Sequence, residues 1–286
     1  MPRRTAILKV TTTLFTSTFA TAAPAIADEP ASPPEIWKEP PVYLWQDEPV
    51  MQAEEDGEKK EEKGLPLEAA RTIEFETDEA TWMSLDVSPD GDTIIFELLG
   101  DIYTMPAAGG EATALLTGMA FQSQPVYSPD GSQIAYLSDE DGSENLYVAG
   151  ADGSEPRKLS SLTKGEFMSP AWSADGDYIY VSQLPNGIGA NEIWLYHKHG
   201  GTGVQITNSR PNGSQTPRDQ QPNAQGVSVS KDGRYLYYAA RQGGFEYNMT
   251  GFPWSVVRRD LQEGATDTIA TAYGGAVRPE ISPDGK

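Results

Sequence analysis

The chain has 286 residues, no cysteine and a formal net charge of −21 at pH 7. That acidity argues against nucleic acid and anionic membrane surfaces as partners. Without cysteine there is no disulfide, thiolate metal site, thiol nucleophile or lipidated cysteine, while Gly 28 and Pro 22 supply the turns that many short strands require.

Residues 1–27 read as an export signal peptide. Arg3, Arg4 and Lys9 form a basic start, Ala6 to Ala23 is modestly apolar, and Ala25-Ile26-Ala27 gives a small-residue cleavage pattern before Asp28. The Arg3-Arg4 pair suits twin-arginine export, but Ala6 stands where an aromatic is usual, and an ordinary secretory signal also fits. No other segment is apolar enough to span a membrane, so the expected location is periplasmic or secreted. Residues 28–66 are expected to form a disordered linker: Pro30, Pro33, Pro34, Pro40, Pro41 and Pro49 precede a charged run from Glu54 to Lys63. Trp37, Tyr43, Leu44 and Trp45 depart from that pattern and suit a short clasp on the body, a partner motif being the alternative.

The folded body is expected over 67–286, beginning with an alternating strand near Arg71-Thr72-Ile73-Glu74-Phe75. From there one turn keeps returning: Ser88-Pro89-Asp90-Gly91, Ser128-Pro129-Asp130-Gly131, Ser173-Ala174-Asp175-Gly176, Ser230-Lys231-Asp232-Gly233 and Ser282-Pro283-Asp284-Gly285. A motif recurring roughly every 40–50 residues marks a repeat architecture. Pro presets φ at the first corner, Asp bonds the local backbone and Gly accepts a positive φ. Three residues after each internal glycine stands Ile94, Ile134, Ile179 or Leu236, and two further on Phe96, Tyr136, Val181 or Tyr238. The residues between, Ile95, Ala135, Tyr180 and Tyr237, are apolar too, so the strand must be covered on both faces. A strand stacked between neighbouring blades meets that condition, and the spacing predicts an all-β fold, a β-propeller of four-stranded blades.

Blade one runs from Trp82 to about Thr117, blade two from Gln122 to Ser160, blade three from Ser169 to Thr207 and blade four from Ala224 to Ala270. Third strands are expected at Asp101–Met105, Asn145–Val148, Glu192–Tyr196 and Ser255–Arg258. A fifth blade begins at Gly275 and has only its first turn by Lys286, which leads to the expectation of a truncated propeller whose partners include further C-terminal blades. Insertions are expected at Gln183–Asn191, Asn208–Asn223 and Arg241–Trp254, the last carrying Phe245, Tyr247, Phe252 and Trp254 and suited to a peptide, protein or interdomain contact.

The candidates for chemistry are few. His197-Lys198-His199 has the spacing of a metal pair, but it aligns with blade turns at Pro106-Ala107-Ala108 and Gly150-Ala151, and the chain has no other histidine. Asp139-Glu140-Asp141-Gly142-Ser143-Glu144 does not fit the twelve-residue calcium loop and suits an acidic hairpin. No Gly-x-Ser-x-Gly elbow and no phosphate-binding Gly-Lys-Ser/Thr loop occurs. The expectation is therefore no catalytic, cofactor-binding or metal-ligating residue.

The Ser-Pro-Asp-Gly turn, the Ile/Leu-x-Phe/Tyr strand after it and the Leu-Tyr-Val strand resemble the TolB-type propeller repeat over residues 82–286. Thr81–Gly91, Leu98-Leu99-Gly100-Asp101-Ile102-Tyr103, Glu192–His197, Phe245-Glu246-Tyr247-Asn248 and Gly274–Pro279 are similar to the N-terminal propeller of large exported amidohydrolase-family proteins. That resemblance implies a hydrolase parent in which a metal-dependent barrel domain, following the propeller, holds a divalent metal and the catalytic residues. The propeller would then scaffold that domain or shape access to it. The propeller of a prolyl-oligopeptidase-type serine peptidase and a stand-alone TolB-like periplasmic binding protein are the alternatives.

Overall fold

The computed structural model describes residues 8–13, 72–185, 189–243 and 253–282. Strand β1 (Leu8–Thr13) pairs antiparallel with β2 (Thr72–Thr77), from Leu8 opposite Thr77 to Thr13 opposite Thr72. Threonines recur in both strands, with Val10 in β1 and Ile73 in β2, and β-branched side chains suit extended backbone. Residues 8–13, within the stretch read as an export signal, thus pair with β2. The linker at 28–66, with Trp37, Tyr43, Leu44 and Trp45, lies outside the described residues.

Four antiparallel sheets follow, each with its four strands in sequential order. The first holds β3 (Leu85–Val87), β4 (Thr93–Leu98), β5 (Asp101–Pro106) and β6 (Thr113–Leu116), and the second β7 (Gln122–Tyr127), β8 (Gln133–Ser138), β9 (Asn145–Gly150) and β10 (Arg157–Lys158). The third holds β11 (Gly165–Trp172), β12 (Tyr178–Pro185), β13 (Glu192–His197) and β14 (Val204–Gln205), and the fourth β15 (Pro222–Val229), β16 (Tyr235–Gln242), β17 (Ser255–Asp260) and β18 (Thr266–Thr271). These are the four blades that the repeat predicts. First strands contact one another in sequence, β3 with β7, β7 with β11 and β11 with β15, and so line the axis.

The doubly apolar second strands fill the spaces between blades. Ile134 and Tyr136 of β8 pack with Ile95 and Ile102 of blade one, while Ala135 and Leu137 face Phe167, Ile179 and Val181 of blade three. Tyr180 and Ile193 of blade three then meet Leu236, Tyr238 and Val257 of blade four. Alternate side chains of one strand thus serve two different neighbours, and each large aliphatic buried this way contributes roughly 1.5–3 kcal/mol. Two cross-strand pairs at equivalent places, Phe96 with Tyr103 and Tyr136 with Tyr147, stack with centroids 5.7 and 5.6 Å apart.

The four turns described in full are built alike. In each the serine amide bonds the carbonyl five residues on, the glycine amide bonds the serine carbonyl, and the serine hydroxyl donates to the aspartate. Blades three and four replace the proline with Ala174 and Lys231 without changing the pattern, so the Ser–Asp pair defines the turn. Successive turns also stack. A Cβ on Gly131 would lie 3.4 Å from Pro89 Cδ, one on Gly176 3.6 Å from Pro129 Cδ, and one on Gly233 3.4 Å from Ala174 Cβ.

Three boundaries differ from expectation. Trp82, expected to open blade one, lies outside its short first strand and is 98 % exposed. The strands of blades three and four run into the expected insertions, with Gly165 opposite Pro185 and Pro222 opposite Gln242. Longer hairpins gain backbone pairing there, leaving connections at 186–191, 206–221 and 243–254. Phe245, Tyr247 and Phe252 lie outside the described residues. Beyond β18, residues 272–282 form no strand, and of the fifth turn only Ser282 is described.

Candidate functional site

Strand direction alternates within a blade, so connections sort to two ends. The Ser-x-Asp-Gly turns and the turns between third and fourth strands lie at one end. The loops between second and third strands, and those joining one blade to the next, lie at the other. All three long connections fall at this second end, which makes it the candidate site.

A repeated anchor shapes this end. The first residue of each third strand in blades one to three is polar, and it accepts an N–H from the connection to the next blade. Asp101 Oδ1 takes Gly118 N at 3.1 Å, Asn145 Oδ1 takes Leu162 N at 2.9 Å, and Glu192 Oε1 takes Ser209 N at 2.9 Å. Each spans 17 residues. Asn145 also receives Ser160 Oγ at 2.8 Å, and Glu192 receives the Ser209 hydroxyl and Gln205 Nε2, the latter at 2.6 Å. Burial pushes the Asp101 carboxyl up. Asp139 Oδ1 accepts Phe121 N at 2.7 Å, fastening the connection that enters blade two to that blade's own hairpin, while Glu144 Oε1 accepts Phe167 N of blade three at 2.6 Å, with burial raising Glu144.

The long connections are bound to one another. Asn223 accepts Asn191 N at 2.8 Å and donates to the Gly243 carbonyl, while Ala224 N reaches Asn191 O at 2.9 Å. Gly243 N bonds Gln221 O at 2.9 Å, Gln242 Nε2 bonds Gln220 O at 2.6 Å, and Gln221 Nε2 bonds Thr216 O at 3.1 Å. The Arg241 guanidinium lies 4.9 Å from the Trp254 ring centroid. Buried polar groups that are paired in this way fix a loop rather than leave it free.

At the axis, each inner strand of blades two to four carries a bulge, where register shifts between Ser123 and Val126, Met168 and Ala171, and Gln225 and Ser228. The first bulged residues are left-handed: Gln124 at φ 53°, Ser169 at 54° and Gly226 at 69°. Arg278, at the equivalent place after blade four, repeats this with φ 51°. For the side-chain-bearing residues this costs roughly 1–2 kcal/mol each, offset by bonds from the preceding blade. Gln124 N donates to Ser84 Oγ at 3.0 Å, and Ser169 N to Gln124 Oε1 at 2.7 Å. Together with Ser84 and Glu280 these residues line an axial cavity of ≈ 140 Å3. Asp86 accepts Val87 N and Tyr127 N, both at 2.8 Å, yet burial pushes its carboxyl up. Burial, then the Asp86 charge, raises Glu280.

The histidine pair lies at the opposite end. His197 ends β13 with its ring edge-on to Tyr178 at 5.1 Å, and His199 sits in the following turn near Arg157 Nη1. Among the described residues no group of three or more His, Cys, Asp or Glu is placed to hold a metal ion. The acidic stretch at 139–144 is a hairpin, with Gly142 N bonded to Asp139 O at 2.7 Å. Sequence reasoning missed the strand-three anchors. Their signal is an Asp, Asn or Glu directly before Ile or Leu and then Tyr or Trp, in 101–103, 145–147 and 192–194.

Residues 83–247 match the family profile of the Tricorn protease N-terminal beta propeller domain. Among solved structures, a protein assigned as TolB from Agrobacterium tumefaciens aligns with a TM-score of 0.58 at 21% identity, over 75% of this chain and 71% of that one. TolB from Acinetobacter baumannii gives 0.54 at 15% identity, over 76% of this chain and 50% of that one, so the match spans half of that protein. At such identities the likeness shows the fold.

Proposed function

Because this chain belongs to the Tricorn protease N-terminal β-propeller family, with the TolB-type turn in every described blade, we propose that it is a non-catalytic module that works by contact. The partner proposed is a metal-dependent amidohydrolase domain of the same exported protein, which the propeller scaffolds or to which it controls access. The observation that carries this reading is that the described ends of three long connections are bonded together at one end of the blades, through Glu192, Asn191, Asn223, Gln221 and Gly243. Loops held on a rigid scaffold are where binding surfaces arise.

The choice of parent rests on the sequence likeness of Leu98–Tyr103, Glu192–His197 and Gly274–Pro279 to exported amidohydrolase-family propellers. In that parent the divalent metal would activate a water on residues of the hydrolase domain, and no residue of this chain is assigned to it. The basic start at Arg3, Arg4 and Lys9 and the Ala25-Ile26-Ala27 pattern support export. No helix among the described residues is long and apolar enough to cross a membrane.

The coding sequence downstream of Lys286 tests the reading. Closing blades followed by a His-x-His strand are expected. A Gly-x-Ser-x-Gly elbow would instead make the parent a prolyl-oligopeptidase-type peptidase, and a closing blade followed by a stop would make this a stand-alone TolB-like binding protein. Either result overturns the proposal.

A further inference from the structure

A second cavity, of ≈ 430 Å3, opens at the loop-bearing end between blades one and two, away from the axis. It is formed by the end of β6 and the connection to β7, by β8 and the acidic hairpin that follows it, and by Pro156 just before β10. Its volume falls in the range of about 300–1,000 Å3 typical of ligand sites. One wall is apolar, made by Leu116, Met119, Ala120 and Pro156. Gln122, Tyr136, Asp139 and Glu140 supply the polar groups.

Those polar groups are mostly acceptors. The Gln122 Oε1 atom is buried and receives no hydrogen bond among the described residues. Asp139 uses one oxygen for Phe121 N. No described cation is paired with Glu140, and burial followed by the Glu140 charge pushes the Tyr136 phenol up. The neighbouring Asp141 shows what this hairpin takes: its carboxylate holds the Lys158 ammonium at 2.6 Å and also accepts the Tyr147 hydroxyl at 3.1 Å. An occupant that completes the cavity must therefore bring donors and positive charge. The apolar wall further requires an aliphatic stem behind that charge, the combination that Lys and Arg side chains provide. A bare metal ion would leave the wall unused, and an anion would meet two carboxylates on a chain of net charge −21. Met119 and Phe121 stand on either side of Ala120, 48% and 53% exposed, placed to meet the backbone flanking such a side chain.

We propose that this inter-blade cavity receives a Lys or Arg side chain presented by a partner peptide, with Glu140 and Asp139 facing its charge and Leu116, Met119 and Pro156 facing its stem. The proposal does not depend on which domain the propeller serves.

The test is calorimetric titration of the full chain at low ionic strength with acetyl-Gly-Lys-Gly-amide and its acetyl-lysine counterpart. It is repeated on Glu140→Gln and on Asp267→Asn. Asp267 lies exposed on β18 of blade four, two blades from the cavity, and its replacement makes the same change in net charge. Binding of the lysine peptide is expected, weakened at least fivefold by Glu140→Gln, unchanged by Asp267→Asn and absent for acetyl-lysine. No binding, equal binding of the acetylated peptide, or equal weakening by both substitutions would overturn the assignment. Glu140 is exposed, so matching melts of the variant and parent chains are expected and check that folding is unchanged.

Discussion

The repeated aspartate illustrates how much one side chain does here. Asp130 accepts Ser128 Oγ at 2.6 Å, Ser132 N at 3.0 Å and Ser132 Oγ at 2.8 Å, and these bonds hold its carboxyl at about 2. Asp90, Asp175 and Asp232 are lowered in the same way, first by their serine hydroxyls. A folded value below the unfolded one of about 3.9 adds stability that is fully present above that pH and is lost as pH falls through the folded value. The melting temperature should therefore fall between about pH 4 and about pH 2, and Asp130→Ala should reduce that fall while lowering stability at pH 7 by about 1 kcal/mol. Denaturant melts across that range are the check. The turn was legible in the sequence because a Ser and an Asp-Gly recur at fixed offsets. That its proline can be replaced was legible too, from Ala174 and Lys231, while the reason, the same serine-to-aspartate bonds in both turns, needed the structure.

At the scale of elements, the third-strand anchors bind each blade to the connection that leaves it. Glu192 is 8% exposed and carries three hydrogen bonds from Ser209 and Gln205. Glu192→Ala should cost about 2 kcal/mol and open 206–221 to limited proteolysis, mapped by mass spectrometry of the fragments. The anchors escaped sequence reading because Asp101, Asn145 and Glu192 are different residues whose common task appears only once Gly118, Leu162 and Ser209 are in place. The insertions were placed correctly in order, but their ends were not, because pairing such as Gly165 with Pro185 depends on a partner strand rather than on local composition. At the other terminus, β1 occupies the edge of β2. If residues 1–27 are an export signal, the exported protein should begin at Asp28 and lack β1. N-terminal mass spectrometry of the secreted or periplasmic protein decides this, and an intact Leu8–Thr13 segment would retain the strand in place of the leader.

For the whole molecule, the second strands carry the fold: those of blades two and three are apolar on both faces and fill two inter-blade spaces at once, and that requirement made the propeller legible in the sequence. The candidate site was visible only in part. The lengths of the loops marked the end that carries them, while the cavity between blades one and two depends on Gln122, Tyr136 and Glu140 converging from segments that no motif links. The central claim is that this propeller acts by contact and leaves chemistry to another domain. Its most direct test gives the full chain zinc or manganese with a panel of amide, dipeptide and lactone substrates, beside the same chain carrying His197→Ala. The account predicts that both are inert. Metal-dependent turnover that disappears with His197→Ala would place a working metal site at the turn end of blade three and contradict it.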